Sequence, residues 1–417
     1  MYENKSPVQR AILAAVDLGE YDVNASLDEL AALAESAGAE VVARMSQKRP
    51  QFDPATCMGE GRLEELAEAV KNYECDLVIF DHELSASQLR NIERAVDAAV
   101  VDRTMLILDI FAQRAVTDEG KLQVELAQQR YLLPRLAGIG TQLSRLGGGI
   151  GTRGPGETKL ETDRRHIRRR IRSLEERLRE LTDRRERMRT RRKKDNLLTV
   201  AVVGYTNVGK STLLNALTGA EVLAENKLFA TLDPTSRSLE LPDGRSVLLV
   251  DTVGLIRRLP HHLVEAFQST LEEAAAADLI LIVCDIASPD VREQLDVTEQ
   301  VIADLGAGGT PTVLAYNQCD RIDTIPFPLQ KNAVLVSAKT GFGFDRLLAA
   351  LARALEPTQR RLRLLVPYAQ GGLRNEITEA GKVLYEEYTE SGILLDALVD
   401  QKILYKFTGM ILPQESI

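Results

Sequence analysis

The sequence predicts a multidomain α/β chain, with two α/β units flanking a helical hairpin and a small α+β unit at the end. Three observations carry this. At 417 residues the chain exceeds the roughly 250–300 residues at which one hydrophobic core stops growing. Two stretches, the first ~110 residues and Leu197 to Leu355, alternate short apolar runs with helical patterns, the signature of strands layered with helices. Between them lie long, charged, helix-forming segments with no strand signal.

In the first stretch Ala11–Val16, Glu40–Met45, Asp76–Phe80 and Ala99–Val101 read as strands. Leu27, Leu30, Ala31 and Ala34 fit one helix face, and Leu63, Leu66, Ala67 and Val70 another. Gly59 and Gly61, in Met58-Gly-Glu-Gly-Arg62, precede the second helix. A tight turn explains them more simply than an anion site does. In the middle, Leu122, Leu126, Leu133 and Leu136 fall near helical spacing, and Ile167, Ile171, Leu174, Leu178 and Leu181 recur at intervals of four and three. Six glycines between Gly147 and Gly156 separate the two helices. An apolar seam of about two heptads suits packing within the hairpin better than a dimeric coiled coil, so a monomer is expected.

The second α/β unit has strands at Thr199–Val203, Val247–Val250, Leu279–Val283, Thr312–Tyr316 and Val334–Val336, with helices after the first, third and fifth. Such alternation builds a doubly wound, mostly parallel sheet. Past Pro357, strands are expected around Leu362–Val366, Lys382–Tyr388, Ile393–Val399 and Ile403–Phe407, with a helix near Leu373–Ala380.

Composition is that of an ordinary globular protein, 44% hydrophobic and 27% charged. No run approaches the ~18 apolar residues of a membrane span, and no signal-peptide pattern opens the chain. Cys57, Cys75, Cys284 and Cys319 form no CxxC pair and the four histidines lack ligand spacing, so a cytoplasmic protein without structural disulfides is expected. The net charge of −9 conceals an asymmetry. Arg164 to Lys194 holds 16 Lys and Arg against five acids, while the rest of the chain holds 36 against 56. The basic segment is a candidate for a polyanion.

Chemistry concentrates in the second α/β unit. The loop Gly204, Tyr205, Thr206, Asn207, Val208, Gly209, Lys210, Ser211 follows one strand and opens a helix, as a phosphate-binding loop requires. Its glycines turn backbone N–H groups toward phosphate, Lys210 adds charge at the β- and γ-phosphates, and the Ser211 hydroxyl suits Mg2+. Asp251, Thr252, Val253 and Gly254 end the second strand, where an acid can hold Mg2+ through water and the Gly254 N–H can meet the γ-phosphate. Asn317, Gln318, Cys319 and Asp320 end the fourth. There a carboxylate can accept from both N1–H and the 2-amino group of guanine, a pair adenine lacks. Ser337, Ala338 and Lys339 end the fifth, and the Ala338 N–H can meet guanine O6. Together they form one crevice at the strands' C-terminal ends, and the unit reads as a P-loop GTPase domain with GTP as substrate.

With these motifs the domain resembles translation-factor-type GTPases, and the resemblance includes Phe229, Ala230, Thr231, Leu232 and Asp233. It implies that Thr231 joins Ser211 at Mg2+ when the γ-phosphate is present, so that Lys210, Thr231 and Gly254 surround the reacting phosphate. Two departures stand out. Gln318 replaces the lysine of related GTPases, which predicts weaker nucleotide binding. Leu255 follows Gly254 where many GTPases place a glutamine that orients water, which predicts slow intrinsic hydrolysis.

The stretch Gly149-Ile-Gly-Thr-Arg-Gly-Pro-Gly-Glu-Thr-Lys-Leu-Glu-Thr-Asp-Arg-Arg165 before a GTPase domain carrying Asp251-Thr-Val-Gly-Leu-Ile-Arg257 resembles the HflX family of ribosome-associated GTPases over nearly the whole chain. The resemblance implies an N-terminal α/β domain (1–115), a hairpin (116–196, tip loop 147–156), the GTPase domain (197–357) and a small C-terminal domain (358–417). It implies binding to the large ribosomal subunit and its RNA, and splitting of stalled or stress-damaged ribosomes. A ribosome-assembly role, or a regulatory switch binding a protein partner, remains the alternative. Arg153, Lys159, Arg164, Arg165, Arg168 and Arg169 are the expected RNA contacts, suited to phosphate and shape rather than base edges. The family's N-terminal domain is also associated with ATP, for which the Gly59–Arg62 loop is the first place to look.

Overall fold

The structure is a computed structural model that describes residues 8–139, 159–194, 197–219, 228–229, 235–258, 263, 273–325, 327, 329–330, 333–355 and 359–412. The tip loop 147–156, with Arg153, and residues 230–233, with Thr231, lie outside them.

The first sheet is parallel, in the order β2-β1-β3-β4, from β1 (Arg10–Asp17), β2 (Glu40–Lys48), β3 (Leu77–Phe80) and β4 (Ala99–Asp102). β1 and β3 are buried nearly throughout, as the inner strands of a sheet covered on both faces must be. The covering helices are α1 (Val23–Ser36), α2 (Glu60–Asn72), α3 (Ala86–Val96) and α4 (Arg103–Arg114). Three of the four starts have a side-chain cap. Asp22 caps α1 through the amides of Asn24 and Ala25, Ser85 and Gln88 form a capping box on α3, and Asp102 caps α4 through Met105.

A hairpin follows, of α5 (Asp118–Ile139) and the 36-residue α6 (Lys159–Lys194), the latter ~54 Å long at 1.5 Å per residue. α5 serves two neighbours. Val124, Ala127 and Tyr131 are buried with α4 in the core beneath the first sheet, and the Tyr131 hydroxyl donates to Asp102. Toward α6, Leu174 is buried and ion pairs join Arg170 to Glu125 (2.6 Å), Glu175 to Arg130 (2.7 Å) and Arg185 to Glu119 (2.7 Å).

The P-loop GTPase domain has a six-stranded sheet in the order β10-β9-β8-β5-β7-β6. Its strands are β5 (Leu198–Gly204), β6 (Thr235–Glu240), β7 (Ser246–Asp251), β8 (Leu279–Asp285), β9 (Thr312–Asn317) and β10 (Ala333–Leu335). All pairings are parallel except β6 with β7. Its helices among the described residues include α7 (Lys210–Thr218), α8 (Val291–Asp304) and α9 (Phe344–Ala354). Because β5 lies between β8 and β7, connections leave it in opposite directions, which opens a crevice at its C-terminal end.

At the end of the chain β11 (Gln359–Val366), β13 (Gly392–Asp400) and β12 (Lys382–Thr389) form an antiparallel sheet with β13 central, against α10 (Gly372–Ala380). The segment expected as a fourth strand, Ile403–Phe407, is instead a 3₁₀ helix over Gln401–Phe407. Both edges of β13 are already paired, and Ile403, Leu404 and Phe407 recur at helical rather than alternate spacing. Phe407 closes the core of this sheet, fully buried with Ile377 and Leu395.

Candidate functional site

The crevice is built around the loop between β5 and α7. Gly204 passes so close to β8 that a Cβ there would lie 2.2 Å from the Val283 carbonyl oxygen. Gly209, at φ 88°, leaves no room for a side chain beside Asn317 Nδ2. Both glycines are thus dictated by approach as well as by backbone freedom. Lys210 is buried, and its Nζ donates to the carbonyls of Tyr205 (2.8 Å) and Gly204 (3.1 Å). Burial lowers its pKa to about 8, against the pull of Asp251. A phosphate entering the loop would supply the negative charge this ammonium lacks.

Ser211 Oγ donates to Asp251 Oδ2 at 2.7 Å, and Thr252 Oγ1 to the Val202 carbonyl. A hydroxyl beside a buried carboxylate, at a helix start that faces phosphate, is the hard oxygen set that suits Mg2+. Ser211 would bind the ion directly, and Asp251 would hold it through water.

After β7 the chain crosses back over the phosphate loop. Leu255 N donates to Gly204 O (3.1 Å) and Thr206 N to Leu255 O (2.8 Å). Gly254 sits so near that a Cβ would lie 2.7 Å from Thr206 Cγ2 and 3.0 Å from Lys210 Nζ. The Leu255 side chain is buried. Sequence shows only that a water-orienting glutamine is missing here; the structure adds that the leucine anchors this segment in the core.

At the base end, Asn317 is fully enclosed. Its Nδ2 donates to Val208 O (2.8 Å), and its Oδ1 accepts from Ala338 N (2.9 Å). The Ala338 amide would therefore meet guanine O6 by sharing or exchanging that bond. Asp320 is exposed and accepts from Ser337 Oγ at 2.6 Å. That bond is the main reason its pKa falls below the usual carboxylate value, so it would meet a base as an anion. Gln318 Nε2 reaches Asn207 O at 3.5 Å, and Lys339 is exposed beside Asp320.

The structure thus brings the residues at 204–211, 251–254, 317–320 and 337–339 into one crevice. Phe229 stands elsewhere, buried edge-on against Phe111 of α4 with centroids 4.8 Å apart, while Leu228 N donates to Ser36 Oγ of α1. Of the expected RNA contacts, Arg168 and Arg169 are exposed on α6, as is Arg165. Arg164 is partly covered, and Lys159 opens the helix. At the Gly59 turn the Gly59 amide already donates to Gln47 Oε1 (2.8 Å), so that N–H is taken.

Sequence reasoning missed the joint between the two α/β units. Glu29 of α1 accepts from the Tyr205 hydroxyl (2.5 Å), from Arg257 N (3.3 Å) and from Arg103. Arg103 is 3% exposed and also donates to Asp81 Oδ1 (2.9 Å) and Arg257 O (3.2 Å). Arg258 donates to Asp81 Oδ2 and Ser26 Oγ, and stacks 4.0 Å over the Tyr21 ring. Tyr205 belongs to the phosphate loop, and Arg257 and Arg258 follow the segment that crosses it. These groups come from five separate stretches of chain, and no local pattern marks them as partners.

Family models cover most of the chain in order. "GTP-binding GTPase N-terminal" matches residues 24–112, "GTP-binding GTPase Middle Region" 114–192 and "50S ribosome-binding GTPase" 199–318. The GTPase HflX of Caldanaerobacter subterraneus is 52% identical, covering 97% of this chain and 94% of its own. The chain belongs to the HflX family of GTPases. The Escherichia coli GTPase HflX is 43% identical over 94% of this chain and 93% of its own. A GTP-binding protein from Sulfolobus solfataricus, solved with GDP, is 23% identical with a TM-score of 0.46, covering 84% of this chain and 99% of that one. As an HflX-family enzyme the chain hydrolyses GTP, and the resemblance carried by the glycine-rich stretch and the GTPase motifs is upheld. Among the described residues no helix is long and apolar enough to cross a membrane.

Proposed function

We propose that this GTPase binds the large ribosomal subunit through the basic hairpin and uses its GTP cycle to split stalled or stress-damaged ribosomes. GTP–Mg2+ would sit in the crevice with Ser211 and Thr231 on the metal, Lys210 and the Gly254 N–H on the γ-phosphate, and Asp320 on the guanine. Leu255 offers no group to position water, so hydrolysis is slow until the ribosome rearranges the site.

One observation supports the hairpin's role above others. α6 uses a few cations, such as Arg170 and Arg185, against glutamates of α5, and leaves Arg168, Arg169 and Arg172 exposed. A solvated ion-pair helix would balance its charges, whereas this one keeps an excess suited to RNA phosphates. The wording of the matched GTPase model, "50S ribosome-binding GTPase", supports the same partner.

Neutralising Arg153, Arg164 and Arg165 together is expected to weaken co-sedimentation with large subunits about 10-fold or more near 0.1 M salt. The salt slope should flatten by about one unit for each phosphate that no longer meets an arginine, with GTP binding unchanged. Undiminished pelleting would remove the hairpin from the interface. A chain that never pellets with ribosomes, with or without a nonhydrolysable GTP analogue, would favour the regulatory switch instead.

A further inference from the structure

Position 318, where related GTPases carry a lysine, is glutamine, yet the crevice is not without a cation at this point. Gln318 adopts left-handed backbone (φ 62°) and turns its amide toward the phosphate loop, where Nε2 reaches Asn207 O at 3.5 Å. Its other end is held too. Gln318 Oε1 accepts from Arg321 Nη1 at 2.5 Å, and the same nitrogen lies 3.6 Å from Asp285 Oδ2. Gln318 caps the 3₁₀ turn Cys319–Arg321 that follows it, and Arg321 N donates back to Gln318 O at 3.0 Å. That geometry sets the Arg321 guanidinium on the Gln318 amide.

Asp285 shows why a cation belongs there. It ends β8 directly opposite Asn317 in the β8–β9 ladder and is only 16% exposed at its side chain. Burial raises its carboxyl group, while Ala287 N and Arg321 draw it back. With glutamine at 318 no charge from that position can reach this carboxylate, and the cation arrives from three residues downstream.

We infer that Gln318 and Arg321 together replace the missing lysine as a specificity-determining pair of the guanine site. Gln318 ties the base loop to the phosphate loop, and Arg321, held by Asp285, supplies positive charge beside the purine face. A planar guanidinium suits an aromatic face. The charge acts on the ring rather than on the 2-amino group, so it strengthens guanine and hypoxanthine alike, and the choice between them stays with Asp320. The inference rests on the crevice being the guanine site, and it revises the expectation of weak binding drawn from Gln318 alone.

The test is displacement of a fluorescent GDP from the full chain by GDP and by IDP, with thermal unfolding measured alongside. Arg321→Ala is expected to weaken both nucleotides by about 3- to 10-fold and by the same factor. Gln318→Lys in that background should restore both to within about two-fold, and Gln318→Lys alone should change little. Arg321→Lys should retain most of the affinity. Binding by Arg321→Ala within two-fold of wild type would overturn the inference, as would failure of Gln318→Lys to restore affinity in a variant whose unfolding temperature is unchanged. A wild-type chain that binds no GDP would overturn the site reading as well.

Discussion

Replacing Asp320 by asparagine is expected to cost GTP about 100-fold or more in affinity and to turn the preference toward XTP. On the proposed reading the carboxylate would accept from both N1–H and the 2-amino group of guanine, and charge-assisted hydrogen bonds contribute about 1.5–3 kcal/mol each. An amide keeps one acceptor and presents a donor to the 2-amino group, whose repulsion adds to the loss. Xanthine has an oxygen at that position, which the new donor suits. The Ser337 hydroxyl that holds Asp320 at 2.6 Å can donate to the asparagine oxygen as well, so the loop should keep its shape. Competition of GTP and XTP for the site measures the change; a variant that still prefers GTP would mean that Asp320 does not read the base.

The second large effect concerns the joint between the two α/β units. Arg103→Met leaves Asp81, whose side chain is fully buried, and Glu29, at 10% side-chain exposure, without the cation they share. Breaking a buried ion pair from one side costs about 3–5 kcal/mol. For a unit of about 100 residues that corresponds to more than 10 °C in unfolding temperature. Asp81 keeps Arg258 and Ser26 as partners, which places the expected cost toward the lower end. Combining Arg103→Met with Glu29→Gln removes the carboxylate left without a cation and should recover part of the loss. Calorimetry distinguishes the cases. A double variant no more stable than Arg103→Met would show that the pair does not carry the stabilisation.

Much of the fold was legible because buried strands announce themselves. Ala11–Val16 and Leu279–Val283 are continuous apolar runs, and each lies buried between parallel neighbours in the interior of its sheet. β6 escaped notice for the converse reason. Thr235–Glu240 is an edge strand mostly open to solvent, with only Leu239 buried, so it carries no apolar run to read. The 3₁₀ segment ending at Phe407 was misread because β-favouring residue types outweighed their helical spacing. At the site, the glycines and Lys210 were readable because a phosphate loop constrains consecutive residues. The Asn317 bonds to Val208 and Ala338, the anchoring of Leu255 and the Glu29–Arg103–Asp81 network join residues that are remote in sequence. Such pairings arise only once the sheets have set the distances.

The hairpin divides in the same way. Its charge excess and glycine-rich tip are visible in the sequence, but only the packing of α6 on α5 shows which arginines pair with glutamates and which stay exposed.

The central claim is that GTP-dependent engagement of the large subunit separates the ribosome. It is tested most directly by adding the full chain and a nonhydrolysable GTP analogue to intact ribosomes and following light scattering. Scattering should fall as subunits part, with the analogue and not with GDP. Ribosomes that stay intact while the protein pellets with their large subunits would contradict splitting and leave an assembly role on immature subunits as the better reading.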